Sequence, residues 1–60
     1  MNIQEALSRL VARQDLGRQE MAAVMHQVMS GEVSDAQIGG LLVALRMKGE
    51  SIDEIAGAAQ

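Results

Sequence analysis

The sequence contains no cysteine, no proline and no aromatic residue. Without cysteine there is no disulfide to staple the fold and no Cys/His cluster to hold a metal. A cysteine-free chain also fits a reducing, cytoplasmic compartment. Without Phe, Tyr or Trp the core has to be built from Leu, Ile, Val, Met and Ala. Aromatic side chains bury the most area each, roughly 150–250 Å², so this core gains less per residue. Sixty residues allow a single domain, and a domain of that size buries only about 60% of the surface of its unfolded chain. Together these deficits predict further burial against a second domain or another subunit.

Positive charge is scarce too. Five Lys and Arg stand against eight Asp and Glu, a formal net charge of −3. That speaks against a nucleic-acid partner or an anionic membrane surface, both of which need clustered cations. No segment approaches the ~20 apolar residues of a membrane span. The N-terminus does not read as a signal peptide, because Glu5 interrupts it and no basic region precedes an apolar stretch.

What is present is a succession of helix starts and stops. Asn2 with Glu5 reads as an N-cap and its N3 partner. Ile3, Ala6, Leu7, Leu10 and Val11 then recur at helical spacing on one stripe. Asp15-Leu16-Gly17 is the first turn. A second helix starts near Arg18, carries Met21, Val24, Met25, Val28 and Met29, and stops at Gly31. Ser34 to Gln37 is a capping box, and Ser51 to Glu54 is another. Between them runs a third helix that is uncharged from Ala36 to Leu45 and ends at Gly49. It carries Ile38, Leu41, Leu42 and Leu45 on one face and Val43 and Met47 on another. A helix apolar on several sides is expected to be central, with Leu42 more buried than Val11. The fourth helix carries Ile52, Ile55, Ala56 and Ala59 and has no stop signal, as if cut from a longer chain. No strand signal, internal repeat or Pro- or Ser-rich linker occurs. The expectation is an all-α domain over residues 1–60, a small four-helix orthogonal or antiparallel bundle. Its loops of two to five residues favour antiparallel or steeply crossed neighbours.

Few residues suggest chemistry. Ala36, Gly40 and Ala44 form a small-residue ridge on the third helix. Such a ridge suits a close helix–helix contact, either inside the domain or with a second subunit. Gly39 and Gly40 each cost about 0.8–1.0 kcal/mol of helix propensity relative to Ala, a cost that a close approach or a ligand would explain. Met21, Met25 and Met29 read as an ordinary core face, with an adaptable binding surface as the alternative. His26, the only His, reads as a surface residue with no carboxylate or nucleophile beside it. Arg46 and Lys48 lie in the last turn of the third helix, where cations complement the dipole; the functional alternative is attraction of an anion. Asp53 and Glu54 complement the start of the fourth helix in the same way. No catalytic or cofactor-binding residue, metal cluster or phosphate loop is identified.

One stretch is specific. Residues 35–51 hold an acidic cap, Gln37-Ile38-Gly39, an apolar run and Arg46-Met47-Lys48-Gly49-Glu50-Ser51, followed by Glu54-Ile55-Ala56. This resembles the N-terminal helical domain of the anthranilate phosphoribosyltransferase family, and the likeness covers nearly all of the chain. The related pyrimidine nucleoside phosphorylases share the Gln-Ile and Lys-Gly elements. The resemblance implies an enzyme of tryptophan biosynthesis that moves a phosphoribosyl group from phosphoribosyl pyrophosphate to the amine of anthranilate, with Mg²⁺. It implies a small helical domain on a larger α/β domain, homodimers formed through the helical domains, and substrates bound between the two domains. The family's phosphate loop and metal-binding acids belong to the larger domain, so none is carried over to a position here. The family's usual Thr or Ser cap of the second helix is Gly17 in this chain. Two other readings are a DNA-binding helix-turn-helix over residues 48–56, whose last helix has no Lys or Arg, and a free-standing helical adaptor.

Overall fold

Each helix begins where a local cap can satisfy its first free N–H groups. The computed structural model describes Met1–Gln60 and contains α1 (Ile3–Val11), α2 (Arg18–Met29), α3 (Asp35–Lys48) and α4 (Ile52–Ala58), with no strand. Asn2 accepts from the Glu5 N–H at 2.8 Å. Ser34 accepts from the Gln37 N–H at 3.2 Å, and Ser51 from the Glu54 N–H at 3.1 Å. Gly17 has no side chain to cap α2, but the Glu20 carboxylate reaches back and accepts the Gly17 N–H at 2.8 Å.

Two helices end in the same way. Gly31 has φ 78°, and the Gly31 and Glu32 N–H groups donate to Val28 and Gln27 carbonyls. That is the Schellman pattern, in which a left-handed residue lets the chain turn back on its last carbonyls. α1 closes identically, with Arg13 donating to Leu10 and Gln14 to Arg9, but here the left-handed position is held by Arg13 at φ 62°. α3 stops at Gly49, φ 87°.

The pairing of helices is not consecutive. α1 packs on α3 and α2 on α4, while α1 and α2 touch only lightly. The core between the pairs comprises Ile3, Ala6, Leu10, Leu16, Met21, Val24, Val33, Leu41, Ala44 and Leu45. Leu16 and Val33 come from connections rather than helices. The first connection, residues 12–17, is longer than the two to five residues expected, because after the turn at Arg13 it dips inward to bury Leu16.

Several apolar residues expected inside lie outside. Leu42 is 61% exposed and Val11 74%, so the expected contrast between them is absent. Val43, Met47 and Met29 are also exposed. α4 shows the largest departure. Its expected stripe faces out, with Ile52 86% and Ile55 56% exposed, and its buried residues are Glu54 and Gly57. The cause is close approach to α2. A Cβ at Gly57 would collide with the Arg18 carbonyl oxygen, and would lie 2.8 Å from Met21 Cβ and 3.2 Å from Ala22 N. Only a glycine lets the two helices meet there.

Candidate helix-docking faces and the buried ion pair

Titratable groups gather at one place, where the end of α3, the first connection and the start of α4 converge. Glu54 is 1% exposed. Its Oε2 accepts the Leu16 N–H at 2.7 Å, and its Oε1 accepts the Ser51 N–H at 2.9 Å and Lys48 Nζ at 2.8 Å. Lys48, with 5% of its side chain exposed, also donates to Asp15 Oδ1 and the Gly49 carbonyl, both at 2.8 Å. Burial by itself would raise the Glu54 pKa. The Leu16 N–H, the Lys48 ammonium and the Ser51 N–H outweigh it and hold the carboxyl below its ordinary value. Burial would likewise lower the Lys48 pKa, and bonds to Asp15 and Glu54 reverse it, so the net shift is upward.

Both residues do what their sequence positions suggested, Glu54 closing the capping box with Ser51 and Lys48 donating to the Gly49 carbonyl at the end of α3, and both do more. Lys48 does not serve as a solvated cation at a helix end, and Glu54 is more than a dipole partner in a first turn. Every buried polar side-chain atom has a hydrogen-bond partner, and all three Lys48 ammonium protons are taken, by Asp15, Gly49 and Glu54. The cluster is an interlock between chain segments. A second, more exposed link lies beside it: Arg9 Nη1 donates to Glu20 Oε2 at 2.6 Å and Nη2 to the Asp15 carbonyl at 2.9 Å. The Gly17 N–H and then Arg9 lower the Glu20 pKa.

Part of the remaining surface is apolar. The outward side of α3 carries Ala36, Gly39, Gly40, Val43 and Met47, all exposed. The small-residue ridge therefore splits. Ala36 and Gly40 are open, whereas Ala44 turns inward and is 8% exposed. Apart from its own turn of helix, no atom lies within 4 Å of where a Cβ at Gly39 would be, and at Gly40 only Leu7 Cδ2 does, at an ordinary 3.7 Å. Nothing inside the bundle requires either glycine. Beside this seam a shallow groove of about 200 Å³ runs between α1 and α3, floored by Leu10 and Ala44 and edged by Val11, Val43 and Met47. A second groove, lined by Met21, Met25, Val28, Ile38, Leu41, Leu42 and Leu45, opens between α2, α3 and α4.

Residues 4–60 match the glycosyl transferase family, helical bundle domain. The chain belongs to that family. Over 59 residues it is 66% identical to an anthranilate phosphoribosyltransferase of Teredinibacter turnerae, covering 98% of this chain and 17% of that protein. It is 59% identical to an anthranilate phosphoribosyltransferase of Ectopseudomonas mendocina with the same coverage. A third, from Ruthia magnifica, is 53% identical over 60 residues, 100% of this chain and 18% of that relative. The chain thus spans under a fifth of the length of the curated relatives it matches.

Within this helical bundle domain the remaining residues of interest stay apart. The methionine stripe of α2 splits across environments: Met21 is buried, Met25 half-buried and Met29 exposed. His26 is exposed in a shallow depression with Met25, Met29 and Gly57, and no carboxylate lines it. Arg46 projects to solvent on α3. No helix is long and apolar enough to cross a membrane. Sequence reasoning missed the roles of Asp15, Leu16 and Gly57 and the bonds that Lys48 and Glu54 make beyond their own helix ends. The one available signal was a glycine inside an otherwise uninterrupted short helix.

Proposed function

We propose that this chain is the N-terminal helical domain of an anthranilate phosphoribosyltransferase, the cytoplasmic enzyme of tryptophan biosynthesis. The observation that carries the reading is the 53–66% identity to proteins of that name over essentially the whole chain. The proposed activity is transfer of phosphoribosyl from phosphoribosyl pyrophosphate to anthranilate, with the chemistry residing in a larger α/β domain. The helical domain contributes one wall of the substrate cleft and a subunit contact, and has no turnover by itself.

The donor chemistry here does not fit Mg²⁺. Asp15 and Glu54 converge, but Lys48 Nζ lies between them and is bonded to both, and no group of three His, Cys, Asp or Glu could hold a metal. The ion needed for the proposed reaction is therefore assigned to the larger domain. Nucleic acid is not a proposed partner, since α4 carries Asp53 and Glu54 and no cation.

The proposed partner is a second copy, docked on the outward side of α3. Its small residues let a partner helix backbone come close, and Val43 and Met47 supply apolar area. Two measurements test the reading. Purified full-length protein should consume anthranilate, followed by loss of its fluorescence, only with phosphoribosyl pyrophosphate and Mg²⁺. Phosphorolysis of a pyrimidine nucleoside instead would favour the related phosphorylases. Sedimentation equilibrium should give a dimer that Val43→Arg weakens; an unchanged dimer mass places the contact elsewhere.

A further inference from the structure

The hydrophobic core is made without α4. All ten of its side chains come from residues 3–45, and the two large apolar residues of α4 face solvent. What α4 buries is a carboxylate, Glu54, and a glycine, Gly57. α4 meets the rest of the bundle chiefly along α2, where Gly57 lies against Arg18, Met21 and Ala22. It begins just after Gly49, whose positive φ marks a sharp change of chain direction.

From these contacts we infer that α4 is held to the bundle by a polar latch and opens as a single unit while α1, α2 and α3 stay folded. The latch is the Glu54 carboxylate. It joins α4 to the first connection through the Leu16 N–H and to the end of α3 through Lys48. Opening moves no α4 side chain out of the core. It does uncover part of Met21, against which Gly57 packs, and it removes together the acceptor of the Leu16 N–H and one of the three partners of the Lys48 ammonium. Because these losses are shared by one carboxylate, they occur in one step and not residue by residue. The latch therefore sets how often α4 swings away and how firmly the chain beyond Gly49 is oriented on the bundle.

Hydrogen exchange followed by mass spectrometry on the full-length protein tests this. Peptides covering residues 51–60 and the Leu16 segment should exchange together, faster than the peptide covering residues 35–48. Glu54→Gln offers one acceptor oxygen where two are needed, so it should speed α4 exchange roughly 10- to 100-fold and change α3 exchange by less than about threefold. Ser51→Ala removes only the cap and should speed α4 exchange several-fold in the same selective way, which keeps the test available if Glu54→Gln fails to fold. The inference is overturned if both folded variants leave α4 exchange unchanged, if they accelerate all helices alike, or if neither variant folds.

Discussion

Gly57→Ala and Gly39→Ala are chemically the same change in two short stretches of helix, and the structure predicts opposite signs. In a helix interior Ala is favoured over Gly by about 0.8–1.0 kcal/mol. At Gly39 that gain is unopposed, because no atom beyond its own turn of helix lies within 4 Å of the new methyl. The same holds closely for Gly40, where the nearest atom is the tip of Leu7 at 3.7 Å. At Gly57 the methyl would overlap the Arg18 carbonyl oxygen and lie 2.8 Å from Met21 Cβ. These atoms belong to the α2 backbone or sit next to it, so no side-chain rotation relieves the overlap. Overpacking of this kind costs typically 1–3 kcal/mol, and displacing α4 would also lengthen the Glu54 bond to Leu16. The net expectation is a loss of about 1–2 kcal/mol at Gly57 against a gain of about 0.8–1.0 kcal/mol at Gly39. In urea a domain this small has a slope near 1 kcal/mol/M, so the two midpoints should separate by about 2–3 M. Circular dichroism at the helical band reads this directly. A Gly57→Ala midpoint at or above the parent value would refute the close α2–α4 contact. A destabilising Gly39→Ala would show that its surroundings are not open.

Acid should weaken the fold through Glu54: its folded pKa lies below the ordinary 4.5, so its contribution is complete above that value and is lost as pH falls below it. Lys48 acts at the other limb, since its pKa is raised above 10.5; its contribution is complete below that and fades only as pH rises past it, which a pH series of urea midpoints would show. Arg13→Gly should stabilise, by up to about 1 kcal/mol, because a side chain in the left-handed region costs about 1–2 kcal/mol, partly offset by the freer unfolded chain; an unchanged melting temperature would count against strain at Arg13. Leu10→Ala should cost about 2–5 kcal/mol, whereas Leu42→Ala and Val11→Ala should each cost under about 1 kcal/mol; a Leu42 loss equal to that of Leu10 would mean α3 is covered on that side.

The sequence by itself determined where helices begin and where two of them end. Asn2, Ser34 and Ser51 cap residues three positions away, and Gly31 and Gly49 release the chain at the ends of α2 and α3. These are contacts within about one turn, so they are written in consecutive residues and survive whatever surrounds them. The family was also legible, from residues 35–51. Which faces turn inward was decided only by tertiary structure. Periodicity placed Ile52 and Ile55 on a buried stripe, yet α4 docks by its opposite side, because α2 comes close enough to exclude any side chain at Gly57. Glu54 is buried because the Leu16 N–H, 38 residues earlier, and Lys48 both need its oxygens. No local pattern records a donor that distant. The split of the Ala36, Gly40, Ala44 ridge has the same origin. α1 pairs with α3 and not with its neighbour in sequence, which draws Ala44 into the core and leaves Ala36 and Gly40 at the surface.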